Sequence, residues 1–167
     1  MLNQVQTQAP SSQLTSSDFE GADQYEVFAS TVLGSNNDLW SRVFSQNGIQ
    51  YREPKLVLFR SAVQEGCGVA TSAAGPHYCP ADQTIYLDET FFDELQTRFK
   101  AQGGDVAEAY VISHEVGHHV QNLLGVFDQI DPRDNEDSIR AELQADCFAG
   151  LWANSIRDIG VFSRRTR

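Results

Sequence analysis

An α+β fold is predicted by the order of patterns along the chain: helical spacing of apolar residues first, then two short runs of strand formers, then helical spacing again. At 167 residues one domain is the default, long enough to bury a real core. The hydrophobic content of 41% is that of a globular chain, and no stretch approaches the roughly 18 apolar residues of a membrane span.

Residues 1–17 are Gln/Ser/Thr-rich and almost without charge, with no periodicity. Residues 1–20 therefore read as a flexible polar linker and 21–167 as the folded domain. From Asp23 to Phe44, helical spacing runs through Tyr25, Phe28, Val32, Leu39, Trp40, Val43 and Phe44. Gly34 to Asp38 interrupts it, and Asn37 or Asp38 can cap a second helix, so two short helices are expected. Asn47-Gly48 marks a turn. Lys55 to Arg60 and Thr84 to Leu87 are strand candidates, with a loop of small residues from Glu65 to Pro80 between them. Glu89 to Ala101 reads as a helix with Phe91, Phe92, Leu95 and Phe99 inward, ended by Gly103-Gly104. Asp105 is placed to cap the helix that follows. No internal repeat is present.

A formal net charge of −11 makes nucleic acid and anionic membrane poor partners. Cys67 and Cys79 bracket the Gly- and Ala-rich loop, and a disulfide there would contribute about 3 kcal/mol. A second zinc site is the alternative, but only His77 stands nearby; two unpaired core thiols are the other. The disulfide is favoured, and it implies an oxidising compartment. Cys147, among apolar neighbours on a predicted helix, reads as a buried thiol.

The chemistry concentrates in His114-Glu115-Val116-Gly117-His118, of the form H-E-x-x-H. Residues four apart on a helix share a face, so His114 and His118 can aim two imidazoles at one metal ion. Glu115 follows the first histidine directly, within reach of a water on that ion but outside its ligand set. Neutral imidazole suits zinc, zinc acidifies a bound water, and a nearby carboxylate can take the proton. A structurally satisfied histidine pair is the competing explanation. Val111, Ile112, Val116, Val120, Leu123 and Leu124 place the motif on a helix with a buried face, and Gly125 is a plausible stop. Gly117 costs the helix about 1 kcal/mol against Ala, which close packing or room for a substrate would explain.

Catalytic zinc usually takes three protein ligands. Glu142 and Asp146 are four apart on a predicted helix: Glu142 is the candidate third ligand, and Asp146 the acceptor for the far nitrogen of a ligand histidine. Two acids on a solvated face would look the same. The interval from His118 leaves room for a loop and a returning antiparallel helix. A third histidine six positions after His118 is excluded, since Leu124 stands there. His119 points about 100° away from His118 and belongs to the core or to the support of the site.

These blocks resemble the bacterial neutral zinc metallopeptidases with the gluzincin-like pattern. The resemblance runs from about Val32 to Ala153 and takes in Thr31 to Gly34, Trp40-Ser41, Tyr51 to Phe59, Cys67-Gly68 and Gly75-Pro76. It continues through Tyr78 to Asp82, Tyr86 to Asp88 and Phe91-Phe92, and is strongest over Ala109 to Gln121 and Glu142 to Cys147. It implies a zincin-like domain with a small sheet and an H-E-x-x-H helix, Zn2+ held by His114, His118 and Glu142, and Glu115 as catalytic base. It also implies a peptide or protein substrate and an extracytoplasmic site, periplasmic or cell-envelope. Family members typically begin with a membrane anchor and continue beyond the Leu151-Trp152-Ala153 helix. The sequence in hand opens on the polar segment and stops at Arg167, so an anchor and a C-terminal part are expected to be absent.

The expected reaction is peptide hydrolysis by metal-activated water with Glu115 as general base. In zincin-like folds an edge strand lies above the metal helix and an extended peptide adds to it; Leu56 to Arg60 and Thr84 to Leu87 are both candidates. Two other classes compete: a catalytically weak or inactive zinc-binding module, and a regulatory protein that binds a partner through the same cleft. Glu115 favours the enzyme, since a structural site has no use for an unliganded carboxylate beside its metal.

Overall fold

The computed structural model describes residues 24–91, 104–131 and 133–157. The architecture is α+β. Helix α1 (Gln24–Gln46) leads into strands β1 (Lys55–Phe59), β2 (Ala62–Glu65) and β3 (Gly68–Thr71), then a 3-10 turn, β4 (His77–Cys79) and β5 (Thr84–Asp88). Helices α2 (Gly104–Leu123) and α3 (Asn135–Ser155) complete the described chain. No helix among the described residues is long and apolar enough to cross a membrane. The linker expected over 1–20 lies outside the described residues, as do Phe92, Leu95 and Phe99 of the expected Glu89–Ala101 helix.

Helix α1 runs unbroken through Gly34 to Asp38, where a break between two helices is expected from the sequence. The polar residues there are used across helices. Asn36 is buried; its Nδ2 donates to the Val32 carbonyl one turn back, and its Oδ1 accepts from Ser113 Oγ on α2 at 2.7 Å. Ser35 Oγ accepts from Trp152 Nε1 on α3 at 2.8 Å, and Asn37 Oδ1 accepts from Tyr51. Packing that satisfies three such side chains outweighs their weak helix propensity.

The three-stranded sheet has the order β1-β5-β4, with β1 parallel and β4 antiparallel to β5. Every residue of β5 is buried, and the alternation of a strand sends Ile85 and Leu87 to one core and Tyr86 to another. Ile85 and Leu87 join Val32, Trp40 and Phe44 of α1 and Ile112, Val116 and Val120 of α2 in the main core. Tyr86 packs with Phe59 and Cys79 on the opposite face. The stretch from Glu65 to Pro80, expected as a loop, instead holds β3 and β4, and β2 and β3 form an antiparallel hairpin. These strands are too short and too rich in Gly and Ala to show a period. Cys67 and Cys79 form the expected disulfide, with Cα atoms 5.8 Å apart. Cys147 is exposed, contrary to expectation. Its apolar neighbours at four-residue spacing, Ile139, Leu143 and Leu151, form an outward stripe on α3 rather than a buried one.

Helix α2 begins at Gly104, which puts Asp105 in its first turn. It ends as expected at Gly125, whose φ of 70° lets the Val126 N–H reach back to the Gln121 carbonyl. Asp134 caps α3, accepting from the Glu136 N–H at 2.8 Å. Helix α3 presents Ala141, Ala145 and Ala149 inward, and α2 meets this small-residue stripe with Gly117. A Cβ on Gly117 would stand 2.9 Å from both the Cα and the carbonyl oxygen of Ala145. Close packing is therefore the reason for glycine in the motif.

Gly117→Ala must push two backbones apart and is expected to destabilise the fold by about 1–3 kcal/mol in chemical denaturation. Gly34→Ala, with nothing within 4 Å of the added carbon, should stabilise by up to about 1 kcal/mol. Equal effects at the two positions would show that the helix contact is not tight. In the denatured, unreduced protein thiol alkylation should label Cys147 alone, and after reduction all three cysteines, as read by intact mass.

Candidate metal centre

His114, Glu115 and His118 sit on the second half of α2, and Glu142 and Asp146 on the facing side of α3. The rings of His114 and His118 are 4.7 Å apart between centroids and nearly perpendicular. Their Nε2 atoms converge on the Glu142 carboxylate, that of His114 3.0 Å from Oε2 and that of His118 3.5 Å from Oε1. One donor atom from each of the three side chains lies within 4.8 Å of the others. Two imidazole nitrogens and a carboxylate at that separation fit a zinc ion.

The far nitrogens are occupied. Nδ1–H of His114 donates to Asp146 Oδ1 at 2.9 Å, and the Tyr110 hydroxyl donates to the same oxygen at 3.0 Å. Nδ1–H of His118 donates to Gln121 Oε1 at 2.9 Å. Both rings thus turn Nε2 toward Glu142, the tautomer a metal ligand needs. Glu115 is 7% exposed and makes no part of the converging trio. Burial raises the pKa of its carboxyl, and Glu142 adds to that rise while His118 and His114 oppose it.

A cleft of about 560 Å³ opens onto these groups. One wall is Pro76, His77 and Tyr78 at β4, and the other includes Phe127, Ile130 and Ala141. A second hollow of about 320 Å³, beside Tyr110 and Gly75, shares Pro76, His114 and Glu115 with the first. Strand β4 is the sheet edge beside α2, whereas β5, offered by the Thr84–Leu87 run as an edge, is the central strand. Hydrogen bonds tie β4 to α2: Asn122 Nδ2 donates to the Tyr78 hydroxyl, which donates to His119 Nδ1, while His119 Nε2–H donates to the Arg52 carbonyl. His119 is fully buried, and burial lowers its pKa and keeps it neutral.

Three residues of this region escaped the sequence analysis as parts of the site. Tyr110 lies four before His114 and Gln121 three after His118, so helical spacing could have found both. His77, weighed only as a ligand for a second metal, lines the cleft with Nε2 2.9 Å from Glu65 and Nδ1 2.9 Å from the Gly75 carbonyl. Only the pairing of β4 brings it there.

If the trio holds zinc, Glu142→Ala should lower zinc content sharply by elemental analysis. Asp146→Asn, which keeps the shape but weakens the support of His114, should cost about 10- to 100-fold in affinity. Zinc that survives Glu142→Ala but falls with Asp146→Asn would exchange the two roles.

A family model described as "Putative neutral zinc metallopeptidase" matches residues 1–165. The chain is 44% identical over 147 residues to the uncharacterized protein YpfJ of Escherichia coli K12, an alignment covering 83% of this chain and 51% of that one. It is 50% identical over 136 residues to the uncharacterized protein Rv2575 of Mycobacterium tuberculosis, covering 80% of this chain and 46% of that one. The chain therefore spans about half the length of the curated relatives it matches. No solved structure matches it.

Proposed function

Because the chain belongs to the neutral zinc metallopeptidase family, we propose that it carries the catalytic centre of a zinc-dependent peptidase with a zincin-like fold. The observation that supports this most is the convergence of His114, His118 and Glu142 beside a buried carboxyl, Glu115, at the floor of an open cleft. In this reading His114, His118 and Glu142 hold the ion, with Asp146 and Gln121 behind the imidazoles. Zinc, when bound there, supplies a Lewis acid that polarises the scissile carbonyl and acidifies a water.

Glu115 takes the proton of the attacking water and delivers it to the leaving amine. Burial of its carboxyl raises its pKa, which favours taking up that proton. A binding module has no comparable use for this buried acid. The outer edge of β4 pairs with no strand among the described residues, so an extended peptide can add to it and pass over Glu115. Phe127, Ile130 and Ala141 would receive an apolar side chain of that peptide. The Cys67–Cys79 disulfide favours an extracytoplasmic location.

Digestion of a peptide library, with and without chelator, tests the reading. Cleavage should need zinc and favour apolar residues next to the cut. Glu115→Gln should keep zinc and fold while lowering turnover by about 10²- to 10⁴-fold. Undiminished cleavage by Glu115→Gln would remove that residue from the role of base.

A further inference from the structure

Gln121 has no exposed surface, yet its amide makes three hydrogen bonds that no packing requirement explains. Nε2 donates to the Ala141 carbonyl at 2.7 Å and to Gln144 Oε1 at 3.0 Å. The Ala141 carbonyl can only accept, so the Gln121 amide cannot be turned over without setting oxygen against oxygen at 2.7 Å. Oε1 must therefore face His118, and it lies 2.9 Å from Nδ1. An amide oxygen accepts and cannot donate, so this contact requires the proton of His118 to be on Nδ1.

We propose that Gln121 is a positioning residue that selects the His118 tautomer and places Glu142 at the same time. The selection has a competitor. Glu142 Oε1 lies 3.5 Å from His118 Nε2 and would draw the proton there if Nδ1 had no acceptor. A proton on Nε2 blocks the lone pair that a metal needs. The second half of the role comes from the other end of the amide. Ala141, whose carbonyl Gln121 holds, directly precedes Glu142, so one buried side chain links the ligand on α2 to the ligand on α3. His114 is supported differently, by the anionic Asp146 with Tyr110. The two imidazoles thus have unequal supports, an anion behind one and a neutral amide behind the other.

The inference rests on the metal-site reading and needs no peptide hydrolysis to be tested. The metal-free protein, labelled with ¹⁵N in histidine, would be studied by two-bond ¹H–¹⁵N correlation at about pH 8, where ordinary imidazoles are neutral. Wild-type His118 should carry its proton on Nδ1. Gln121→Met, similar in shape but with no amide, should move the proton toward Nε2 and weaken zinc by about 10- to 100-fold in chelator competition. Gln121→Glu again offers His118 an acceptor but sets its second oxygen against the Ala141 carbonyl. A folded Glu variant should therefore restore the Nδ1–H form without the hold on Glu142 and recover only part of the zinc affinity. A purely structural Gln121 would leave the tautomer of every folded variant unchanged, and that result overturns the proposal. So does a wild-type His118 protonated on Nε2, whether or not the Met variant folds. A wild type with Nδ1–H that binds no zinc would instead overturn the metal reading.

Discussion

The close approach of α2 and α3 is the constraint on which the rest of the site depends. All three candidate ligands come from these two helices, so the separation of their backbones decides whether a carboxylate on one can meet imidazoles on the other. Gly117 against Ala145 permits an approach that any larger residue in the motif would prevent, because the nearest atoms are backbone and cannot rotate away. The helix tolerates the weak propensity of Gly because the contact turns a pair of histidines into a trio of donors. Ala141 and Ala149, a turn to either side of Ala145, keep the same face of α3 small.

Approach alone leaves the helices free to slide, and the polar contacts between elements set their register. Asn36 with Ser113 joins α1 to α2, Ser35 with Trp152 joins α1 to α3, and Gln121 with the Ala141 carbonyl joins α2 to α3. The relay from Asn122 through Tyr78 and His119 to the Arg52 carbonyl docks the sheet edge on α2. Apolar packing would accept several neighbouring registers at similar cost, whereas a buried donor left without its acceptor costs on the order of 1–3 kcal/mol. The cleft is a consequence: β4, held to α2 at Tyr78, becomes its wall.

The disulfide extends this logic to the far side of the sheet. Cys79 ends β4 and packs with Phe59 and Tyr86 in the smaller core, while Cys67 belongs to the turn between β2 and β3. The bond ties the hairpin to the strand that lines the cleft. His77, two residues before Cys79, is held in turn by Glu65 at the end of β2. One wall of the site is thus braced by a covalent link and a hydrogen bond through a segment with few large side chains.

Much of this was legible in the sequence wherever one element carried the whole signal. The H-E-x-x-H run, the four-residue spacing of Glu142 and Asp146, β1, β5 and the stop at Gly125 are local periodicities, and a period shows without partners. The same rule would have found Tyr110 and Gln121 had it been carried one turn further along α2. The continuity of α1 was hidden, since Ser35, Asn36 and Asn37 favour a break until Trp152, Ser113 and Tyr51 satisfy them. The outward face of Cys147 was hidden too, because an apolar stripe on a helix does not say which stripe is buried when the other is made of alanine. The strands β2 to β4 and the place of His77 were decided only by pairing across the sheet. What the sequence determined by itself is the set of donors and their local geometry. What only the tertiary structure decided is which donors meet, because that depends on the distance between two backbones at Gly117 and Ala145.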